Sequence, residues 1–267
     1  HDGGLSWTER SAGLPSAYIR SISPSKYKES RVYLALSGIN YDDHRTHLYK
    51  SEDYGKSWER ISGDLPSEVA YVIKEDPHHE NVLFAGLYRA VYISLDRGTT
   101  WSQFGKGMPS AAISDLEFNT RSGDMVLSTH GRGLYKMNLK PLYEWIDTGK
   151  PDRDQLFTID AVRGPNVDQL PDDQNTAVYE KLPITFWRAH AGESTLSLTT
   201  ESNKVVWSKT ITTRKGFNQY RWDFVLQSHS SPLPYFTGAQ EFVKPGRYKL
   251  RIEGVTPATE VNLTIED

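Results

Sequence analysis

The residues with side chains suited to chemistry fall in three main places, besides a turn with two histidines. The segment Thr129-His130-Gly131-Arg132-Gly133-Leu134-Tyr135 sets an imidazole and a guanidinium two positions apart. His130 and Arg132 could present a donor pair to an anionic or sugar ligand. Glycines at this density answer a backbone need first, so a tight turn between strands, capped by His130, is the favoured reading. The loop Gly38–Thr46, GINYDDHRT, gathers Asp42, Asp43 and His44, with His47 just behind. Those groups could hold a hard metal or work as acid and base, but nothing in their spacing sets a ligand geometry, so a solvated charged loop and no metal are expected. His78 and His79 sit in a DPHHEN turn and are expected to face water. The third set is Tyr18, Arg20, Tyr71, Lys74, Asp115 and Glu117, which stand on the leading strands of successive repeats.

Composition removes several classes of function. The 267 residues carry a net charge of −3, with Lys and Arg scattered, so no field favours nucleic acid. There is no cysteine, which excludes disulfides, thiolate metal sites and a thiol nucleophile. The apolar runs are far shorter than the roughly 20 residues of a membrane helix. No phosphate loop or nucleophile elbow is present, and no cofactor is expected. Seven Trp and fifteen Tyr suit half-buried pleated sheets.

A repeat organises the first half. Asp-x-Gly-x-(Ser/Thr)-Trp occurs at Asp2, Gly4, Ser6, Trp7; at Asp53, Gly55, Ser57, Trp58; and at Asp96, Gly98, Thr100, Trp101. A second mark runs out of phase with it: Leu14-Pro15-Ser16, Leu65-Pro66-Ser67 and Met108-Pro109-Ser110. The motif reads as a hairpin turn. Its Asp accepts backbone N–H bonds, Gly supplies a positive φ, and Trp opens the next strand. That role is structural rather than catalytic or metal-binding. Between the marks the pattern predicts strands at Tyr18–Ser23, Arg31–Ser37, His47–Ser51 and Trp58–Ser62, then Ala70–Glu75, Val82–Leu87, Val91–Ser94 and Trp101–Phe104. Ala112–Phe118, Met125–Thr129 and Leu134–Met137 follow, without a further motif. Four short strands per ~45 residues is the period of a propeller blade.

These motifs resemble the Asp-box, or bacterial neuraminidase, repeat. The stretch IKEDPHHENVLFAGLYRAVYISLDRGTTW with STHGRGLYKMN is similar to the sortilin-like propellers of secreted bacterial proteins. The resemblance covers about residues 1–140 and implies an extracytoplasmic setting: secreted, periplasmic or cell-surface. The repeat occurs in sialidases, xyloglucanases, sortilin-type receptors and scaffolds alike. Neither the arginine cluster of a sialidase nor the paired carboxylates of a xyloglucanase can be placed here. About three blades cannot close a ring of 4–8. Remaining blades from the same precursor, or from another chain, are therefore expected, one of them lending the missing strand of the last blade. Innermost strands line a propeller's channel. The third set above would meet a ligand there, or would pair among themselves as a wet lining.

From about residue 156 the rhythm changes. Strands are expected at Leu156–Asp160, Ile184–Arg188, Thr195–Thr199, Val205–Thr210, Asn218–Phe224, Arg247–Glu253 and Glu260–Ile265, a β-sandwich pattern. Gly216-Phe217-Asn218 with Trp222-Asp223, and Pro245-Gly246-Arg247-Tyr248, resemble the Ig-like domain of flagellar hook-cap proteins. The reading is all-β: propeller blades over 1–140, a linker over 141–155, and an Ig-like sandwich over 156–267. The function expected is non-catalytic binding or scaffolding toward protein or glycan ligands. The alternatives are the C-terminal portion of a glycoside hydrolase, or a subunit of a cell-surface assembly.

Overall fold

The computed structural model describes residues 4–105, 108–150, 152–165, 180–228, 240–253 and 259–266. Asp2 of the first motif lies outside these residues. The chain divides into two compact units, His1–Lys140 and Pro141–Asp267.

The first unit holds three antiparallel sheets in chain order. The first is β1 (Tyr18–Pro24), β2 (Val32–Gly38), β3 (Asp43–Ser51) and β4 (Glu59–Arg60). The second is β5 (Ala70–Glu75), β6 (Leu83–Leu87), β7 (Val91–Ser94) and β8 (Ser102–Phe104). The third has β9 (Ile113–Asn119), β10 (Asp124–Thr129) and β11 (Leu134–Asn138). The leading strands β1, β5 and β9 lie side by side, so each sheet stands as a blade with its first strand innermost. Each leading strand carries a bulge at the same place, at Arg20, Tyr71 and Ser114. Such bulges re-aim one side chain and sharpen the twist.

Blades are packed on both faces, which is why β2 reads as an apolar run rather than an alternation. Tyr33, Ala35 and Leu48 turn to the second blade and meet Ala70, Ile73, Leu83, Ala85 and Trp101. Leu34, Leu36 and Tyr49 turn the other way, under Leu14, Ala17 and Trp58. Between the second and third blades Gly86 leaves room for Ile113, whose Cγ2 would lie 2.6 Å from an added Cβ.

The motif loops join the third and fourth strands. Asp53 Oδ1 accepts from Ser57 N at 2.9 Å and Ser51 Oγ at 2.8 Å, and Oδ2 accepts from Ser57 Oγ at 2.7 Å. Asp96 repeats this with Thr100 N, Ser94 Oγ and Thr100 Oγ1 at 2.8, 2.8 and 2.6 Å. Ser51 and Ser94, outside the motif as read from the sequence, also accept from Gly55 N and Gly98 N. Each Trp reaches back one blade. Trp58 Nε1 donates to Arg10 O at 2.8 Å, and Trp101 Nε1 donates to Ile61 O at 2.7 Å. Arg10 and Ile61 each stand three residues past the preceding motif Trp.

The segment expected as a linker instead carries a helix, α1 (Lys140–Asp147). Asn138 Oδ1 accepts from Lys140 N at 2.8 Å, Pro141 sits in the first turn where it is tolerated, and Gly149 ends the run at φ 84. Leu142 and Trp145 are buried. Trp145 stacks on Trp187 at 4.6 Å between ring centres.

The second unit is a β-sandwich. One sheet is β12 (Gln155–Leu156), β14 (Leu182–Arg188) and β17 (Gly216–Trp222). The other runs β13 (Val162–Arg163), β21 (Thr259–Glu266), β20 (Gly246–Glu253), β15 (Gly192–Thr200) and β16 (Val205–Thr213). They enclose one core that includes Ile184, Phe186, Leu196, Leu198, Trp222, Leu250 and Leu263. A hairpin, β18 (Val225–Ser228) with β19 (Gln240–Phe242), completes the described elements. Trp222 is fully buried. Tyr248 packs only at the core edge, and its hydroxyl donates to Lys244 O at 2.8 Å. Asn218 shuts the loop before β17, accepting from Arg214 N at 3.0 Å and donating to Arg214 O at 2.7 Å.

Candidate binding face

Strand alternation puts two kinds of loop at one end of the blades. These are the entries to β1, β5 and β9, and the hairpins β2–β3, β6–β7 and β10–β11. The Asp53 and Asp96 motifs occupy the opposite end. Their carboxylates are spent on turn geometry, and hydrogen bonds from Ser57 hold Asp53 down at about 2.

The expected loop Gly38–Thr46 is shorter than its pattern suggested: β3 begins at Asp43, which pairs with Gly38, so Ile39–Asp42 alone connect the strands of this hairpin. With Pro15, Ser16 and Ser67 from the first two blade entries, residues Tyr41–Arg45 line an open pocket of about 610 Å³. The loop is anchored. Thr46 Oγ1 accepts from Glu68 N at 3.0 Å, and Ser62 Oγ donates to Thr46 O at 2.8 Å. Gly38 lets Asp43 approach, since an added Cβ would lie 2.8 Å from Asp43 Cβ. Asp43 is gripped by Arg45, with Nε–Oδ1 at 2.9 Å and Nη2–Oδ2 at 2.7 Å, and by buried His47 Nε2 at 2.9 Å. The Arg45 hydrogen bonds hold its carboxyl far below the usual range, so it stays ionised at neutral pH and cannot serve as a general acid. Tyr41 meets Tyr18 at 6.1 Å between ring centres, and the two are 59% and 52% exposed. Tyr41 and Arg45 were not singled out by residue pattern. The one signal was an aromatic inside a charged insertion.

Four of the residues expected to line a channel are joined in pairs. Arg20 and Tyr71, both at bulges, meet with the guanidinium 5.4 Å from the ring centre. Lys74 Nζ lies 2.6 Å from Glu117 Oε1. Asp115 and Tyr18 stay exposed on the same leading strands. His130 and Arg132 project from the third hairpin, also exposed. Thr129, not His130, closes that turn. Thr129 Oγ1 donates to Gly133 O at 2.7 Å and accepts from Arg132 N at 3.2 Å, while His130 N extends the ladder to Ala112 O. His78 and His79 N–H groups donate to Asp76 Oδ1 at 2.8 and 2.9 Å, and His78 is exposed, as expected. The His79 ring is only partly exposed.

Sequence reading missed a charged cluster at the opposite end. Buried Arg31 contacts Glu52 at 2.8 Å, Glu80 at 2.9 Å and buried Glu75 at 3.3 Å. Glu75 also accepts from Tyr33 OH, Ser25 Oγ and Lys26 N at 3.0, 2.7 and 3.0 Å. Burial, with Asp76 and Glu75 nearby, pushes the Tyr27 hydroxyl up to about 12. This cluster fastens the first blade to the second. Among the described residues no three His, Asp or Glu side chains converge as a metal would need. No described helix is long and apolar enough to cross a membrane.

The profile of the Sortilin-Vps10 family (Sortilin, neurotensin receptor 3) matches residues 46–215. No curated protein matches the chain. Among solved structures, the chain is similar to a GH74 enzyme of Niastella koreensis, at 13% identity and TM-score 0.39 over 91% of this chain and 30% of that one. It is also similar to PorZ, a surface component of the type-IX secretion system of Porphyromonas gingivalis, at 12% identity and TM-score 0.35 over 93% and 30%. YCF48 bound to D1 peptide matches at 17% identity and TM-score 0.33 over 46% and 36%. The chain thus spans about a third of these structures' lengths.

Proposed function

The chain belongs to the Sortilin-Vps10 family, and from that premise we propose that it is a non-catalytic recognition part of an exported propeller protein. Its hairpin face meets a protein or glycan ligand outside the cytoplasm. The observation that carries this reading is the pair of exposed tyrosines, Tyr18 and Tyr41, beside a pocket whose Asp43 is locked as a carboxylate by Arg45. Exposed aromatic faces give large contact area at low entropic cost, suited to an aliphatic side chain or a sugar ring. His130, Arg132 and Asp115 supply polar contacts on the same unit. The remaining blades, from the same precursor or another chain, complete the propeller in this reading. The sandwich serves as an Ig-like spacer or contact module.

Titration of the chain against peptide and glycan panels by calorimetry tests the proposal. Tyr41→Ala and Tyr18→Ala are each expected to weaken binding about tenfold, as the loss of about 1.4 kcal/mol would. Binding indifferent to both substitutions would sink it. So would hydrolysis of a glycoside by the chain that is lost in Asp42→Asn, which would favour the hydrolase alternative.

A further inference from the structure

Two neighbouring hairpins of the candidate face are built alike. In the first blade Gly38 pairs with Asp43, leaving Ile39-Asn40-Tyr41-Asp42 to cross between the strands. In the second Gly86 pairs with Val91, leaving Leu87-Tyr88-Arg89-Ala90. One backbone bond crosses each connection, from Asp42 N to Ile39 O at 3.2 Å and from Leu87 N to Ala90 O at 2.9 Å. Each unit presents a tyrosine, an arginine and a carboxylate. Tyr41 comes with Arg45 and Asp42, and Tyr88 comes with Arg89 and Glu68.

The second hairpin has a blade of this chain on either side, so blades added beyond these do not adjoin it. It is pinned from both. Glu68 Oε2 accepts from Arg89 N at 3.1 Å, and Ala111 N, at the entry to the third blade, donates to Arg89 O at 3.3 Å. Tyr88 is nevertheless 52% exposed, and among the described residues its ring meets no other ring and its hydroxyl has no partner. Folding does not require a large ring turned to water on a fixed hairpin, whereas binding energy concentrates on such aromatics. Glu68 also ties the two hairpins together, since its own N donates to Thr46 Oγ1 at 3.0 Å. Tyr41 and Tyr88 are thereby held one blade apart on one surface.

We propose that these two hairpins form one platform for a linear neutral oligosaccharide, with one sugar against Tyr41 and another against Tyr88. The proposal rests on the reading of this face as a binding face; it adds the second contact and makes the ligand a glycan. Charge argues against a charged polymer. Arg45 stands among Asp42 and Asp43, and Arg89 Nη1 lies 3.9 Å from Glu68 Oε1, so a polyanion or a polycation meets like charge at each unit. A sugar hydroxyl donates and accepts at once, and each unit offers both a carboxylate and an arginine whose side chain is about two-thirds exposed. The C–H face of a sugar packs on an aromatic ring. Two like units one blade apart suit a ligand that itself repeats, as a polysaccharide does and a peptide does not. The third hairpin departs from the pattern. Ala111 stands where Glu68 does after the Pro-Ser mark, and His130 takes the place of the tyrosine.

Calorimetric titration with cellohexaose, xylohexaose, mannohexaose and maltohexaose, each beside the disaccharide of the same linkage, tests this. At least one hexasaccharide is expected to bind tenfold or more tighter than its disaccharide, because the second ring is engaged without a second encounter. Tyr88→Ala should remove that gain and Tyr88→Phe should keep it, with the urea midpoints of both unchanged. No binding of any hexasaccharide, no gain with length, or equal affinity of Tyr88→Ala and the parent would overturn the proposal. So would Tyr88-dependent binding of trilysine or triglutamate in place of a sugar. The two readings of this face fail separately. A ligand that needs Tyr41 but not Tyr88 leaves the binding face standing and sinks only the platform, whereas binding indifferent to Tyr18 and Tyr41 sinks both.

Discussion

Asp53 works as a turn residue because it is ionised. Two hydroxyls and a backbone N–H donate to it, and the Ser57 bonds lower it from the ordinary 3.8 to about 2. A carboxyl whose folded value lies below its unfolded one adds stability that is fully present above about pH 4 and fades as pH falls toward 2. Asp53→Asn should therefore be less stable at pH 7, with a flatter loss between pH 4 and 2 than the parent chain. Urea midpoints at pH 7, 4 and 2.5 read this directly, and parallel profiles would count against it. The role of Asp53 was legible in the sequence because motif and donors lie within six residues. The partners of its Trp were not, since Arg10 and Ile61 offer only carbonyls, which every residue has. The grip of Arg45 on Asp43 was hidden for another reason. It depends on Asp43 and Arg45, two residues apart, standing on one strand, where the sequence pattern placed both in a loop.

At the scale of elements, blade strands followed their expected spans within one or two residues, apart from the third strand of the first blade, which begins at Asp43 rather than His47. Gly86 shows what the strand pattern leaves out. Its backbone is ordinary, yet an added Cβ would lie 2.6 Å from both Ile113 Cγ2 and Val72 Cγ1. Gly86→Ala is expected to overpack the interface between the second and third blades and cost about 1–3 kcal/mol, read as a lower urea midpoint. An unchanged midpoint would mean that the blades slide apart freely. The helix α1 escaped sequence reading because eight residues with a proline and several charges look like a connector. The signals were present in Pro141, in Leu142 and Trp145 on one face, and in Gly149. Only the stack on Trp187, 42 residues from Trp145, gives that face a reason to be buried. The short strands β13, β18 and β19 were missed for want of any run long enough to show a period.

Across the whole first unit, the heaviest commitment is the cluster around Arg31. Burial would pull the guanidinium down, but hydrogen bonds to Glu80 and Glu52 outweigh it and keep it charged. Glu75→Ala leaves Tyr33 OH and part of Arg31 buried without their acceptor. The expected cost is about 3 kcal/mol, measured by denaturant unfolding, with Glu75→Gln losing less. Equal stability of Glu75→Ala and the parent would show that water replaces the carboxylate.

The sequence by itself determined the all-β character, the blade period, the turn at each Asp and the order of the strands. These depend on φ/ψ preferences and on side-chain spacing over two to eight neighbours, which a linear string records. The tertiary structure alone decided which charges meet and which remain open. Arg31 and Glu75 are 44 residues apart, and Lys74 and Glu117 are 43 apart. They touch only because successive blades stack face to face with their leading strands aligned. The same stacking buried Tyr33 and left Tyr18 and Tyr41 at the rim, a difference that depends on what covers each residue rather than on what it is.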